Sequence, residues 1–431
     1  MDHNECQHHI DPISSRLRKL TEANRALAEI ESLDDLFPRL MDLAKDVMAA
    51  EASFLFLYNP ENRLLEAASF KDDLFGHKDG NSRPTIKMKI GEGMVGWVAQ
   101  NRKAVMIEDA QNDPRFSKEA DKRRDLTTRT VLSVPLVQRD ELLGVLSVLN
   151  TRNKPSFDNE DLALGESFAD LAAVAIVRSR LLKHRVEQER LRAELNAAAK
   201  IQKLFWPKLP VLGEGSHVWA FSEPAASVGG DLYDVIPMPD ASWLLYVADV
   251  AGKGLPAALM MAALSAKIRS IAPLQTEVDK LLAIVNAEMY DLMFEEGFFA
   301  TMVMSRYWPG TGKLHIARAG HQYPLWVVNH GFRELSNIRG IPIGIESKAE
   351  YEKAEFILPS GEAILCVTDG VTEAENKEGE LFGNDRLTDY FKLANGPPWA
   401  EGLLKRIDSW RGGAAMNDDL TVLELWRESQ Q

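Results

Sequence analysis

In the second half of the chain, carboxylates stand beside glycine or at the edges of apolar runs. Asp231 and Asp234 lie in "VGGDLYD", Asp249 in "LYVADVAGKG", Asp369 in "LCVTDGVTEA", and Asp418 and Asp419 in "NDDLTV". Apolar runs of this kind read as buried strands, which deliver their terminal residues into clefts. An isolated carboxylate there is costly to desolvate, and several in one cleft repel each other unless cations sit among them. Oxygen donors flanked by small residues suit Mg2+ or Mn2+, and no Cys or His cluster points to zinc. One acid beside glycine is an ordinary turn residue; the recurrence carries the reading. Gly252-Lys253-Gly254 invites comparison with a phosphate-binding loop. A Walker loop needs a glycine five residues before Gly252 and Ser or Thr after the lysine, and Val247 and Gly254 stand there instead. That alternative fails.

The elements around these acids read as α+β. Strands are expected at 217–222, 232–237, 243–249, 298–307, 313–319 and 323–328, with helices at 255–272 and 277–294. "EAILCVTDG" and "DDLTVLELW" are further strands, one ending and one beginning in acid. Strands cluster, with helices between and after them, which is unlike a doubly wound sheet. The first half has its own pattern. Two amphipathic helices, 15–30 and 32–50, precede the strands "EASFLFLYN" and "LLEAASF". A strand at 86–90, a short helix from "GEGMVGWVAQNRK", the strand "AVMIED" and a hairpin turning at Arg139-Asp140-Glu141 follow. The polar segment 110–129 reads as a long loop over a cavity.

From Asn159 a helix begins, and from Val174 no Gly or Pro interrupts it before Pro207. A heptad places Val174, Val177, Leu181, His184, Gln188, Leu191, Leu195, Ala198, Gln202 and Phe205 on one seam. Two readings stand: one exposed connecting helix, or a parallel two-stranded coiled coil that makes a homodimer. The coiled coil is carried forward. The expected organisation is a disordered leader (1–14), a first domain (15–178), a helical coiled-coil linker (179–205) and a second domain (206–428).

Composition sets bounds. The chain has 431 residues, 45% apolar and 26% charged, as in ordinary globular proteins. A net charge of −14 argues against nucleic acid or an anionic membrane as a general partner. No apolar run approaches the roughly eighteen residues of a membrane span, and the start has no signal-peptide character. The two cysteines, Cys6 and Cys366, are placed unsuitably for a structural disulfide, which fits a cytoplasmic location. His3, Cys6, His8 and His9 of the leader read as a solvated tail in preference to a metal site.

Taken in order, "VGGDLYD", "VADVAGKGLPAAL", "FATMVMSRYWPGTGKLHIARAGHQYPLW", "GIPIGI", "LCVTDGVTEAENKEGELFG" and "NDDLTV" resemble the SpoIIE/RsbU-type branch of the PPM family of metal-dependent protein phosphatases. The resemblance covers about 206–428. It implies a β-sandwich flanked by helices and a centre of two Mn2+ or Mg2+ ions. On this chain Asp249 would bridge both ions, and the backbone carbonyl of Val250 would add an oxygen. Asp369 and Asp418 would complete one ion's shell, Asp231 would bind the other, and Asp419 would support from behind. The implied chemistry is in-line attack on phosphorus by a metal-activated water, without a phosphoenzyme. The glycines around Lys253 then serve a tight turn, with Lys253 facing solvent. Type 2C relatives often carry His just after the bridging Asp-Gly pair; Ala251 stands there, so the leaving-group acid is unassigned. His321 is read as structural. "GGDLYD" also resembles the signature of diguanylate cyclases, but "DVAGKG" and "NDDLTV" have no place in that family.

Over about 15–178, "GEGMVGWVAQNRKAVMIEDAQNDPRF", "SVPL" and "LLGVLSVLN" resemble a GAF sensor domain, implying a central antiparallel sheet with helices and a small-ligand pocket. Asn153, Lys154, Phe157 and Asp161 match part of the cyclic-nucleotide signature, with Leu162 replacing its final Glu. A purely structural dimerisation domain is the alternative. The combined expectation is a GAF-controlled serine/threonine phosphatase acting on a phosphorylated STAS-type anti-anti-sigma partner in partner switching. The rival is a pseudophosphatase scaffold.

Overall fold

The computed structural model describes residues 12–72, 86–116, 127–275 and 277–429. Residues 1–11 of the expected leader and half of the long polar segment, 117–126, lie outside the described residues, whereas residues 12–14 already belong to the first helix. The chain divides into two compact units, Met1–Arg190 and Leu191–Gln431.

In the first unit, helices α1 (Pro12–Ala28) and α2 (Leu33–Met48) precede strands β1 (Ala50–Asn59), β2 (Leu64–Asp72) and β3 (Lys87–Lys89). Helix α3 (Gly93–Asn101), β4 (Val105–Ile107), β5 (Val131–Gln138) and β6 (Glu141–Thr151) follow, then the long helix α4 (Asn159–Gln202). The strands form one sheet in the order β3-β2-β1-β6-β5-β4. The apolar stripe of α2 (Leu36, Leu40, Met41, Ala44) packs with Phe168 and Ala172 of α4 on one face. Met94 and Val98 of α3 pack on the other with Phe54, Phe56 and Val145. That second face is closed by its own side chains, including a buried Ser133–Ser147 hydroxyl pair at 2.7 Å. The partial cyclic-nucleotide signature is also spent internally. Lys154 is bonded to Asp158 at 2.6 Å and ion-paired with Asp161, while Phe157 is buried in the core.

The second unit begins with the end of α4. It contains β7 (Ser216–Glu223), β8 (Leu232–Pro237), β9 (Trp243–Val250), α5 (Leu255–Ile271), α6 (Val278–Glu295), β10 (Ala300–Trp308), β11 (Lys313–Ala319) and β12 (Leu325–Val328). The expected strands and helices are found within a few residues. Short strands β13 (Gly331–Glu334) and β14 (Lys353–Ile357) were not foreseen, nor were helices α7 (Gly383–Leu393) and α8 (Trp399–Arg411). Strands β15 (Ala363–Val367) and β16 (Leu420–Arg427) are the two acid-flanked runs. Two five-stranded sheets result, β14-β11-β10-β9-β8 and β13-β12-β15-β16-β7. Leu245, Val247, Ile316, Ile364 and Leu423 fill the space between them. Helices α5 and α6 cover the first sheet, and α7 and α8 the second. Every residue of β15 is buried because both faces of that strand are covered, which is why the run reads as unbroken apolar sequence.

Two features need explanation. The stretch Leu255–Leu274 has the length and composition of a membrane span, against the expectation of none. Yet Ala257, Met261, Leu264 and Ile268 of α5 are buried against the sheet, as in a core helix. Glu424 is fully buried in β16, where it accepts bonds from Trp399 N (3.0 Å) and Ala400 N (2.8 Å) at the start of α8. It satisfies amides that the helix itself cannot.

Candidate metal centre

The carboxylates arrive from both sheets. Asp231 stands just before β8 and Asp249 near the end of β9; Asp369 follows β15, and Asp418 and Asp419 precede β16. Asp249 feels the charges of Asp369, Asp418 and Asp419, and Asp231 feels those of Asp249 and Asp419. The structure therefore brings these five residues together. It separates Asp234, whose buried carboxylate accepts from Arg269 Nη2 (2.7 Å), Val235 N (2.8 Å) and Tyr246 Oη (3.3 Å). Asp234 ties α5 to β8.

Close approach sets the local sequence. A Cβ on Gly230 would lie 2.5 Å from the Val250 carbonyl oxygen, so only glycine lets these two segments meet. Asp419 turns towards backbone, accepting from Ala225 N (2.8 Å), Gly230 N (2.6 Å) and Asp231 N (3.4 Å). It holds the loop that presents Asp231. Thr368 donates to Asp231 Oδ2 at 2.8 Å and accepts from Thr421 N at 2.8 Å. Gly252 (φ 105°) and Gly254 (φ 74°) make the turn into α5 in backbone conformations that side chains disfavour.

Burial and mutual repulsion disturb the acids. Asp231 is almost fully buried, and burial first, then Asp249, pushes its carboxyl well above the ordinary range. Asp249 is pushed up to about 7 by burial and by Asp369, Asp418 and Asp419. Asp369 moves upward through burial and Asp418. Glu373, which sequence reasoning missed, is raised by burial and by Asp369 and Asp418. Its signal was the acid four residues after Asp369.

Lys253 does not simply face solvent. Its Nζ lies 3.0 Å from Asp418 Oδ2 and donates to the Asn417 carbonyl at 2.6 Å. The bond to Asp418 raises its own pKa. His321 is buried, its Nδ1 lies 2.7 Å from Thr301 Oγ1, and burial pushes it down to about 4. It is neutral, and Thr301 pairs in register with Asp249, so His321 braces the strand that carries that acid.

The end of α4 reaches the same loop. Gln202 is buried; its Nε2 donates to the Gly229 carbonyl (2.6 Å) and its Oε1 accepts from Gly229 N (3.2 Å). Gln202 is thus withdrawn from the expected seam, and Phe205 lies in a turn beyond the helix. Trp206 packs on the core between the sheets.

Among the described residues, no three acidic, His or Cys side chains already enclose one point in cation-binding geometry. The Lys253 ammonium lies 3.0 Å from Asp418 Oδ2 at the rim of the cluster. The donor set nevertheless fits hard divalent cations: clustered oxygens, partly buried and destabilised as anions, with a backbone carbonyl brought in by glycine.

Residues 239–428 match the family described as "Stage II sporulation protein E (SpoIIE)", and residues 31–177 match "GAF domain". "Phosphoserine phosphatase RsbU" of Bacillus subtilis is 28% identical over 249 residues, covering 56% of this chain and 72% of that protein. "Probable 3',5'-cyclic phosphodiesterase pde-5" of Caenorhabditis elegans is 26% identical over 185 residues, covering 42% of this chain but only 25% of that protein. Among solved structures, the SiaA-PP2C domain of Pseudomonas aeruginosa is 23% identical, covers 56% of this chain and 98% of that chain, and gives a TM-score of 0.48.

The raised carboxyls link metal-free stability to pH. A carboxyl whose pKa is higher folded than unfolded stabilises the fold at low pH, and that contribution is lost as pH rises. For Asp249 the window runs from the ordinary 3.8 up to about 7. Asp249→Asn removes one of the repelling charges. In chelator at about pH 8 it is expected to melt above wild type, by roughly 2–4 °C for each kcal/mol relieved, with the gap closing near pH 4. Saturating Mn2+ should raise the melting temperature of wild type much more than that of the variant. Calorimetric melting of both proteins checks this; a metal-free variant that melts well below wild type at the higher pH contradicts it.

Proposed function

Because the chain joins a GAF domain to a SpoIIE-type phosphatase domain of the PPM family, we propose that it is a sensor-regulated protein-serine/threonine phosphatase. The single observation that carries the catalytic reading is the convergence of Asp231, Asp249, Asp369 and Asp418 from strand ends of both sheets. PPM-family members depend on Mg2+ or Mn2+, and two such ions, when bound, activate water and screen the phosphoryl oxygens.

This chain's residues have separable tasks in that reading. Asp249, Asp369 and Asp418 would hold one ion and Asp249 with Asp231 the other, with the Val250 carbonyl as a further oxygen donor. Asp419, Thr368 and Gly230 fix the loop that aims Asp231. Lys253, paired with Asp418 at 3.0 Å, would give up that bond if an ion took the carboxylate. Neither Ala251 nor the neutral His321 supplies a proton to the leaving oxygen. The name of the Bacillus subtilis relative supports phosphoserine as substrate. A phosphorylated STAS-type anti-anti-sigma regulator is the proposed protein partner.

The test is hydrolysis of a phosphoserine peptide or p-nitrophenyl phosphate with Mn2+ or Mg2+. Activity is expected to vanish with chelator, and Asp249→Asn or Asp369→Asn should lower it by about a thousandfold or more while circular dichroism stays unchanged. Undiminished turnover in either variant contradicts the site assignment. Metal binding without turnover on either substrate would favour the scaffold reading.

We further propose that α4 dimerises the chain. Leu181 (65% exposed) and Leu191 (57%) project from the helix without a covering neighbour, as an unpaired seam would. The same helix ends on Gln202, which grips the Gly229 backbone beside Asp231. A shift of the helix pair is thereby offered a route to the acids. Polar substitutions at Leu191 and Leu195 are expected to convert a micromolar dimer to monomer in sedimentation. A wild-type chain already monomeric at that concentration contradicts the coiled coil.

A further inference from the structure

The first unit has an opening away from the sheet face under α3, which is closed by side chains. It lies at one end of the sheet, a cleft of about 360 Å3 lined by three arginines together with Tyr58, Pro60, Asp140, Glu141 and Leu142. Its volume falls within the roughly 300–1,000 Å3 of small-molecule sites. The arginines come from three separate elements. Arg102 caps the C-terminus of α3, Arg139 begins the β5–β6 turn, and Arg180 lies on α4.

Two of these positions are held in disfavoured backbone. Arg102 has φ 51° and Arg139 φ 46°, and Asp140, next in the turn, has φ 65°. A two-residue hairpin of this hand normally takes Asn-Gly, and a left-handed helix cap normally takes glycine. The sequence places arginine at both, facing one cleft. Strain retained at a concave site points from geometry to function. Among the described residues, none of the three guanidiniums forms an ion pair, although Asp140 and Glu141 share the lining. Three unsatisfied, forked donors around one cavity match the oxygens of a phosphate group. Tyr58 and Leu142 offer an apolar wall, and the two carboxylates can accept from hydroxyl or amino groups.

We propose that this cleft binds a small phosphorylated metabolite, with Arg102, Arg139 and Arg180 as its phosphate ligands. A small molecule suits the site better than a polyanionic surface. The chain as a whole carries −14, which repels nucleic acid and anionic bilayers, while the arginines act locally within a bounded cavity. The inference is independent of the phosphatase reading. Arg180 also gives it a consequence, because it belongs to the helix that continues to Gln202.

The test uses the full chain in EDTA, so that phosphate cannot be captured through divalent ions at the acid cluster. Calorimetric titration with ATP and with inorganic pyrophosphate is expected to show one site that weakens as salt rises. Arg180→Ala and Arg139→Gly should each weaken binding by about tenfold or more. Arg139→Gly also separates binding from folding: glycine relieves the left-handed position, so the variant should melt at or above wild type while losing ligand. No heat from either probe up to millimolar concentration overturns the proposal, as does binding that all the arginine variants leave unchanged. Sedimentation with phosphatidic acid vesicles distinguishes a lipid headgroup from a free metabolite; capture by vesicles without binding of either soluble probe also overturns it.

Discussion

Carboxylates that repel one another must be held together before any chemistry can follow. Asp231, Asp249, Asp369 and Asp418 come from four places in the chain and meet at strand ends of the two sheets. Burial and proximity raise the first three, so the fold carries an electrostatic cost there that cations would offset. Much of the surrounding structure exists to hold that arrangement. The core between the sheets fixes where β9, β15 and β16 end. Asp419 spends its carboxylate on backbone amides, and Thr368 bridges Asp231 to β16. Lys253 neutralises Asp418 from the rim.

The same supports meet the end of α4. Gly229 is gripped on both its backbone groups by Gln202, and the next residue's amide is held by Asp419. The loop presenting Asp231 is therefore clamped from the helix side and from the sheet side. A helix end that moved would loosen one clamp and leave the other, a local change with a direct effect on one acid. His321 illustrates the opposite design: neutral and buried against Thr301, it stiffens the Asp249 strand and has no titration to contribute near neutral pH.

Much of this was legible in the sequence, for identifiable reasons. Apolar runs such as "AILCV" announce fully covered strands, and acids at their ends announce a cleft. The hairpin at Arg139-Asp140 and the helix from Asn159 were equally plain. What escaped depended on partners distant in sequence. Glu424 sits in an apolar strand because it caps a helix that begins at Trp399, which no periodicity reveals. Asp234 shares a motif with Asp231 yet serves Arg269 instead. Gln202 fits a heptad seam by spacing, but its amide is complementary to Gly229, and that contact wins. Lys253 was read as solvent-facing because a lysine between glycines has no local partner; its partners, Asn417 and Asp418, come from the far end of the chain.

In the proposed reading these acids form a two-ion centre built around Asp249. Anomalous diffraction at the manganese edge, from crystals grown with Mn2+, tests it most directly. Two peaks that share Asp249 are expected. One should lie against Asp369 and Asp418, with Lys253 released from Asp418, and the other against Asp231 and the Val250 carbonyl. Fully occupied manganese elsewhere, with no peak touching Asp249, would contradict it.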